Sequence, residues 1–256
     1  MTAPAPVDER TFRTQDARSS RDVLAFYDTY APNWDARFGD SPSTRAFHEI
    51  RLDSFLRLAR LGPEMRLVEL GVGTGAYLDA IAPKVHDVVC IDGSRGMLDV
   101  LEAKHRGLAN IRAEQRDLEQ TLADVEFAAD LVYCFGLLEH IIRVDVFVRN
   151  CARMLRPGGR FVIIAPNGRS PWYGAMRRVC RSGAHCSTDR YYTPEQCARL
   201  LAPAGFESDG VVYWGWAPAG VPMALFRTLE SVGSLLAKTP LRRYAGGMTV
   251  AFKKVR

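Results

Sequence analysis

The chain has 256 residues, of which 47% are hydrophobic and 25% charged, a composition typical of one globular domain with a substantial core. No run approaches the roughly 18 apolar residues of a membrane-spanning helix, and residues 1–20 lack the apolar run of a signal peptide, so we expect a flexible tail there and a cytoplasmic protein. The net charge is +5, and residues 143–192 form a basic stretch with ten Arg and two acids. Such a stretch could attract nucleic acid, anionic lipid or an acidic substrate, although a solvated surface is the simpler interpretation.

A helical cap is predicted for residues 21–64, ahead of the first strand. Within it, the segment that starts at Ser41 has the apolar spacing of a helix. Ser41 can cap its first turn, Pro42 suits its first position, and Gly62 with the proline that follows would end it.

Five short apolar runs come next, at residues 65–70, 87–92, 110–115, 129–136 and 159–166, with helix-like segments between them. This alternation is typical of βαβ units and of a parallel sheet covered by helices on both faces, so the fold class is α/β. In such a sheet, ligands bind at the carboxyl ends of the strands, near the point where the strand order reverses.

The last third of the chain continues this pattern. Thr193 and Gln196 form a capping box for a further helix that Gly205 would close, and strand-like runs at 208–216 and 247–255 bracket an apolar-faced helical segment. We find no internal repeat and no second core in the sequence. The core is therefore placed at residues 65–256, with a substrate-side insertion at about 167–192 and a helical insertion at about 217–240.

The six cysteines are scattered, which is typical of free thiols and not of a disulfide framework. One group could in principle bind zinc: Cys180, His185, Cys186 and Cys197. Its C-x4-H-C-x10-C spacing lacks the paired C-x2-4-C unit of structural zinc sites, so we predict no metal site.

The motif "VELGVGTG", residues 68–75, places Gly71, Gly73 and Gly75 directly after the first strand. A glycine-rich turn at this point first suggests a dinucleotide, whose pyrophosphate rests on a helix N-terminus. The spacing is G-x-G-x-G and not G-x-G-x-x-G, and the carboxylate of Glu69 would repel a pyrophosphate where water is excluded. A ligand with a positive group near the turn fits better.

The second strand ends at Asp92, which lies 92 − 75 = 17 residues past the last glycine and can accept hydrogen bonds from both hydroxyls of a ribose. Met97 offers a soft apolar surface for an adenine, and Asp117 can accept from an exocyclic amine. A positive head, a ribose and an adenine together describe S-adenosylmethionine. Each of these residues could singly be a surface cap or a core residue, but their placement at successive strand ends favours a site.

Several motifs between residues 26 and 166 resemble the class I S-adenosylmethionine-dependent methyltransferase family: "YDTYAPNWD", "VELGVGTG", "CIDGSRGML", "LVYCFGLLEHI" and "RMLRPGGRFVI". The resemblance implies a doubly wound, Rossmann-like sheet of seven strands, with an antiparallel last strand. It also implies the roles of several residues. The cofactor's amino acid portion would lie near Glu69 and Gly71, its ribose at Asp92, and its adenine at Asp117 and Leu118, with Phe135 in the same wall and with Tyr27 and Trp34 in a lid.

Methyl transfer from a sulfonium is an in-line displacement, so the protein mainly has to align the reacting atoms in a dry pocket. An oxygen or nitrogen acceptor must also lose a proton, and His140, just beyond the fourth strand, is the predicted base because imidazole titrates near neutral pH. The alternative is that Glu139 and His140 only orient the segment that follows. His48 and His185 are less favoured as bases.

The substrate-side residues indicate a hydrophobic small molecule, aromatic or isoprenoid-like, since the motifs are also similar to those of quinone-pathway and natural-product methyltransferases. The candidate wall consists of aromatic residues and one methionine: Trp172, Tyr173, Met176, Trp214 and Trp216. The apolar face of residues 221–236 could cover a pocket or touch a membrane surface weakly, although such faces are more often core. O-methylation is favoured, with N- or C-methylation left open.

Three other functions compete with small-molecule methylation. Nucleic-acid methylation is disfavoured because the fourth strand lacks an Asn/Asp-Pro-Pro-aromatic signature and a proline-flanked cysteine, and a basic patch supplies affinity without chemistry. A non-catalytic scaffold or sensor would bind the cofactor without turnover, and a nicotinamide oxidoreductase would bind NAD instead. The oligomeric state is not predicted.

Overall fold

The structure, a computed structural model, describes residues 19–39, 41–122, 127–172 and 190–255. These residues contain one seven-stranded sheet with the order β3-β2-β1-β4-β5-β7-β6. The strands are β1 (Arg66–Leu70), β2 (Asp87–Asp92), β3 (Ile111–Gln115), β4 (Ala129–Phe135), β5 (Leu155–Pro166), β6 (Phe206–Trp214) and β7 (Gly247–Lys254).

The first five strands pair in parallel. The last strand, β7, inserts between β5 and β6 and is antiparallel to both. The prediction of a doubly wound α/β sheet with an antiparallel last strand is therefore confirmed. The strand order reverses between β1 and β4, and a crevice at their carboxyl ends is where such a sheet binds its ligand.

Helices cover both faces of the sheet and the carboxyl ends of its strands. They are α1 (Ser20–Tyr30), α2 (Ala36–Gly39), α3 (Pro42–Ala59), α4 (Leu78–Ile81), α5 (Arg95–Lys104), α6 (Val144–Met154), α7 (Pro194–Leu201) and α8 (Met223–Leu236). No helix in the described part of the chain is long and apolar enough to span a bilayer. The predicted helical insertion at about 217–240 contains α8, whereas residues 173–189 of the insertion at about 167–192 lie outside the described residues.

The helix boundaries confirm two predictions and correct two others. The Ser41 hydroxyl accepts from the Thr44 N–H (3.1 Å) at the start of α3, and α7 has the predicted Thr193 capping box. However, α3 ends at Ala59 and not at Gly62, because Arg60 adopts a left-handed conformation with φ 49°. The tail predicted for residues 1–20 is also too long, since Ser20 already belongs to α1.

The core consists of two apolar layers, one on each face of the sheet. One layer packs α6 and α7 against the sheet through side chains such as Phe147 and Cys197. The other packs α3, α4 and α5 against the opposite face, with Phe55 and Leu98 fully buried. Burying one such side chain contributes about 1.5–3 kcal/mol, so these layers hold the strand ends in place.

Candidate active site

A cavity of about 360 Å³ lies at the carboxyl ends of the parallel strands. The loops that follow β1, β2, β3 and β4 contribute to its wall together with the end of β5, and residues of α1 line it from the other side. A cavity of this size is within the range of small-molecule sites. The crevice expected at the point of strand-order reversal is therefore present.

The glycine turn after β1 forms part of this wall and is braced from β2. The N–H of Gly71 donates to the carbonyl of Ile91 (2.8 Å). Gly71 and Gly73 both have positive φ, at 63° and 56°, a conformation that favours glycine. Both residues line the cavity, as predicted for a loop that a ligand approaches closely.

Gly75 differs from the other two glycines of the turn, and its assignment to the cofactor stays a prediction. It is not part of the cavity wall. A Cβ at this position would lie 2.7 Å from Leu78 and 2.8 Å from His105, and its φ is 75°. Gly75 therefore allows the turn to pack against α4 and α5, and the structure gives it no contact with the cavity.

Asp92 lies at the end of β2 and is buried in the cavity wall. Its Oδ2 accepts from the Gly73 N–H (2.8 Å) and its Oδ1 from the Ser94 N–H (2.9 Å). Burial raises the pKa of this carboxyl, an effect that these two backbone hydrogen bonds oppose. Each carboxylate oxygen retains acceptor capacity for one more donor, such as a ribose hydroxyl.

Glu69 lines the cavity at the end of β1 and is 3% exposed. The Tyr133 hydroxyl donates to its Oε2 (2.9 Å). Burial raises the pKa of Glu69 to about 8, although the hydrogen bond from Tyr133 and the positive charge of Arg51 act in the opposite direction. A cationic group entering the cavity here would restore the carboxylate.

The loop after β3 brings Asp117 and Leu118 to the cavity, and the first turn of α5 brings the buried Met97. Asp117 accepts hydrogen bonds from the Ser20 hydroxyl (2.7 Å) and the Glu119 N–H (2.9 Å). These three predicted adenine-side residues therefore lie in one wall, and Ser20 is an unpredicted neighbour.

The helical cap closes the cavity and is tied to the four loops after β1 to β4. Four side-chain contacts make these ties: Asp35 to Thr74 (2.5 Å), Asp28 to Ser94 (2.6 Å), Ser20 to Asp117 (2.7 Å) and Tyr27 to His140 (3.1 Å). The ring of Trp34 lies 5.5 Å from that of Tyr27, and both rings line the cavity. The predicted aromatic lid is therefore assembled by hydrogen bonds from four separate strand ends.

His140 ends a short 3-10 helix, Leu138–His140, and lines the cavity. Its Nε2 lies 3.1 Å from the Tyr27 hydroxyl. Burial lowers the pKa of His140 to about 4. The imidazole is therefore neutral near pH 7 and able to accept a proton.

Arg51, on α3, is the main cavity residue that the sequence did not single out. Its guanidinium carbon lies 5.4 Å from the Phe135 ring and 6.0 Å from the Tyr77 ring, and its Nε has no hydrogen-bond partner among the described residues. Burial raises the pKa values of both Glu69 and Glu139, and the positive charge of Arg51 opposes this rise. No motif signals this residue, because it is one arginine of many on a cap helix.

Glu139 lies beside His140, and the alternative interpretation of the sequence gives this pair only an orienting role. It is 6% exposed, and its Oε2 has no hydrogen-bond partner in the described part of the chain. Burial raises the pKa of Glu139 to about 7, which the charge of Arg51 partly offsets. Glu139 and Arg51 both line the cavity, so the site contains unpaired polar atoms of both signs.

Aromatic rings form a further part of the wall: Phe38, Phe47, Tyr77, Phe135 and Trp214. Tyr77 and Phe135 pack with ring centroids 4.3 Å apart, and Phe47 and Trp214 with centroids 5.5 Å apart. His48 donates to or accepts from the Tyr77 hydroxyl (2.8 Å), and burial lowers the pKa of His48 to about 4.

The structure separates the residues predicted for the substrate wall. Trp214 lines the cavity, but Trp216 packs against Gly233 of α8 and Trp172 is exposed at the surface. Tyr173 and Met176 lie outside the described residues, as does the rest of the segment 173–189 of the basic stretch.

No group of metal-ligating side chains is present in the described ranges. Cys197 is a free, buried thiol of α7, and burial raises its pKa to about 12. The other candidate ligands, Cys180, His185 and Cys186, lie outside the described residues.

Comparisons with known proteins agree with this geometry. Residues 68–163 match the family model described as a methyltransferase domain. The chain is 28% identical over 189 residues to the ubiquinone biosynthesis O-methyltransferase of Bordetella avium (strain 197N), which covers 70% of this chain and 76% of the relative.

Two solved structures have the same fold. The [4+2]-cyclase SpnF superposes with a TM-score of 0.67 at 19% identity, covering 93% of this chain and 97% of that one. The DhpI–SAH complex superposes with a TM-score of 0.61 at 18% identity, covering 90% and 94%.

Proposed function

Because this chain is a class I S-adenosylmethionine-dependent methyltransferase, we propose that it transfers the cofactor's methyl group to an oxygen of a hydrophobic, aromatic small molecule. The family predicted from the motifs is therefore confirmed, and S-adenosylmethionine is the cofactor. The proposal rests on one cavity whose wall combines two carboxylates suited to a nucleoside, those of Asp92 and Asp117, with aromatic rings and the neutral imidazole of His140.

The cofactor's nucleoside is assigned to the loops after β2 and β3. Asp92 would accept from the ribose hydroxyls with its remaining lone pairs. Met97 and Leu118 would contact the adenine ring, and Asp117 would accept from the exocyclic amine. The lid residues Tyr27 and Trp34 would cover the cofactor.

The amino acid end of the cofactor carries an ammonium and a carboxylate, so it requires protein groups of both signs. Glu69 would pair with the ammonium, with Gly71 beside it, and Arg51 would pair with the carboxylate. The support for this assignment is that both side chains face the same cavity and that the charge of Arg51 acts on the pKa of Glu69. Hydrogen bonds between ionised groups are about twice as strong as neutral ones.

The acceptor is assigned to the aromatic part of the wall, where Tyr77, Phe135 and Trp214 provide faces for a planar ring. When bound, S-adenosylmethionine would supply an activated methyl group for transfer to the acceptor oxygen. The hydroxyl proton passes to a ring nitrogen of His140, which is neutral before the reaction. General base catalysis of this kind contributes about 10²–10⁴ in rate.

Two observations support an oxygen acceptor and a small molecule. The relative from Bordetella avium is named an O-methyltransferase of ubiquinone biosynthesis, and the cavity of about 360 Å³ is within the size range of small-molecule sites. Nucleic acid is not a proposed partner, since the described wall of the cavity offers aromatic faces that suit a small ring system. We place the protein in the cytoplasm, where the free thiols of the described cysteines would remain reduced.

The test is to incubate the purified chain with methyl-labelled cofactor and a panel of phenols, catechols and quinone precursors, alone and within a metabolite extract. We expect label in an organic-soluble product whose mass rises by one methyl group, and nuclear magnetic resonance should identify a methyl ether. Label on nitrogen, on carbon or on nucleic acid would overturn the acceptor assignment. Cofactor binding with no turnover in extract would indicate a scaffold or sensor instead.

A further inference from the structure

Helix α8 is fixed to the body of the protein by its inner face. Phe226 is buried, and Gly233 packs so closely on the Trp216 ring that no Cβ could fit there. Glu230 accepts from the N–H groups of Trp216 (2.7 Å) and Ala217 (2.8 Å). The rotation of α8 is therefore determined, and its outer face is a stable surface of the molecule.

That outer face is apolar. Leu225, Val232 and Leu235 are 48%, 51% and 65% exposed, and their spacing of seven and three residues places them on one side of the helix. The adjoining 3-10 helix Pro240–Tyr244 adds the exposed Leu241 and Tyr244. We call these five residues the apolar stripe. Single exposed leucines are ordinary, but an aligned group marks an interaction surface.

Positive charge surrounds the apolar stripe. Residues 217–245 contain four cations, Arg227, Lys238, Arg242 and Arg243, and a single acid, Glu230, so their net charge is 4 − 1 = +3. All four cations are exposed, while Glu230 is directed inward by its two backbone hydrogen bonds. The surface therefore presents leucines flanked by basic side chains, which is the pattern of helices that lie on anionic membranes.

The same charges argue against self-association. A two-fold dimer places the same patch of each copy face to face, so this surface would bring both sets of cations together. An anionic bilayer, by contrast, attracts each basic side chain by about 1 kcal/mol near its surface and accepts the leucines at the boundary of its acyl chains. Charge complementarity therefore selects the lipid surface as the partner.

The stripe also lies close to the cavity. Asn167 is buried, and its side-chain amide donates to the carbonyls of Arg243 and Ala245 (both 2.9 Å). The two residues before Asn167 line the cavity. The 3-10 helix that carries part of the stripe is thus anchored to the end of β5, next to the wall of the active site.

We propose that α8 and the adjoining 3-10 helix dock this protein on an anionic lipid bilayer, with the apolar stripe at the headgroup boundary and the cations nearest to the 3-10 helix, Lys238, Arg242 and Arg243, on the phosphates. Docking in this orientation holds the cavity at the membrane surface. The proposal does not depend on which acceptor the enzyme methylates.

The test is co-sedimentation of the full chain with vesicles of phosphatidylcholine alone and of phosphatidylcholine mixed with phosphatidylglycerol. We expect binding to the anionic vesicles that weakens as salt is raised. The triple variant Leu225→Ser/Val232→Ser/Leu235→Ser should lower the partition coefficient about tenfold or more. Arg242→Gln/Arg243→Gln should lower it by a similar factor and flatten its salt dependence.

Matched controls replace exposed groups elsewhere on the molecule. Leu200→Ser/Val211→Ser/Val255→Ser removes three exposed apolar side chains, and Arg106→Gln/Arg199→Gln removes two exposed cations. Both should bind vesicles like the parent, and all variants should keep the parent's melting temperature and cofactor affinity. Equal binding to both vesicle types, no binding, or a dimer that only the stripe variant dissolves would overturn the proposal, and the last result would make the stripe a protein interface.

Discussion

The hydroxyl of Tyr27 lies 3.1 Å from Nε2 of His140, which joins the first helix of the cap to the loop after β4. The two rings are also in edge-to-face contact, with centroids 5.5 Å apart. This contact of the cap with the loop after β4 therefore orients the imidazole of the proposed base.

His140→Ala should lower kcat by about 10²–10³ and leave cofactor affinity within about twofold, because the imidazole is proposed to act only in proton transfer. Since burial lowers the pKa of His140 to about 4, the imidazole stays unprotonated across the neutral range. The kcat of the parent should be constant from about pH 8 to about pH 5 and fall below that. A fall centred near the usual imidazole value, or an unchanged kcat in the variant, would contradict the assignment.

Tyr27→Phe keeps the aromatic lid and removes the hydroxyl that faces His140. We expect kcat to fall about tenfold, as for one lost hydrogen bond, while the affinity for the cofactor stays near that of the parent. Tyr244→Phe serves as the matched control, because Tyr244 is exposed and does not line the cavity. Equal losses in both variants would mean that Tyr27 has no specific role in positioning the base.

Asp92→Ala should weaken cofactor binding by about 30-fold to 150-fold, measured by calorimetry, since charge-assisted hydrogen bonds contribute about 2–3 kcal/mol. The control Asp99→Ala removes an exposed carboxylate that pairs with Arg95 at 2.7 Å on the same helix–strand unit, and it should leave the affinity unchanged. Parent-like affinity in the Asp92 variant would remove the ribose assignment.

Cofactor affinity should rise with pH between about 6 and 8. The pKa of Glu69 is raised to about 8 by burial, so below that pH the empty site holds a protonated carboxyl, which must lose its proton to pair with the ammonium. The gain should approach tenfold per pH unit, and calorimetry in two buffers of different ionisation enthalpy should detect proton release. Glu69→Gln should bind more weakly at pH 8 and show no such slope, and a flat profile for the parent would contradict the pairing.

Two glycines of the same turn should respond differently to alanine. Gly75→Ala should lower the melting temperature by several degrees, as a loss of about 2–3 kcal/mol implies, since the new Cβ meets Leu78 and His105. A Cβ added at Gly73 would have Nε1 of Trp34, 3.7 Å away, as its nearest neighbour. Gly73→Ala should therefore lower the stability only by the strain of its positive φ, and its main effect should be a reduced affinity for the cofactor. Thermal melts with and without cofactor separate the two effects.

Much of the fold was predictable because strand residues that face two apolar layers form continuous hydrophobic runs. All seven strands overlap the predicted runs, and the capping box at Thr193 is present. The end of α3 was mispredicted because glycine is the usual left-handed residue, whereas Arg60 adopts that conformation here. The site residues at strand ends were also predictable, because the topology of a parallel sheet places the carboxyl ends of its strands at one edge.

The other site residues could not be found in this way. Arg51 and Phe47 reach the cavity from a helix whose contact with the sheet is a tertiary property, and no local spacing encodes it. The two tryptophans of "YWGW" show the same limit: they are two residues apart, yet Trp214 lines the cavity and Trp216 supports α8.

Separate hydrogen bonds join the cap to the four loops that follow β1, β2, β3 and β4. A nucleoside bound beneath the cap would be released when these hydrogen bonds open. Three of them hold α1, and the fourth holds Asp35 just beyond it. We therefore expect these contacts to lengthen the residence time of the bound nucleoside, while proton loss and methyl transfer remain the steps that limit kcat.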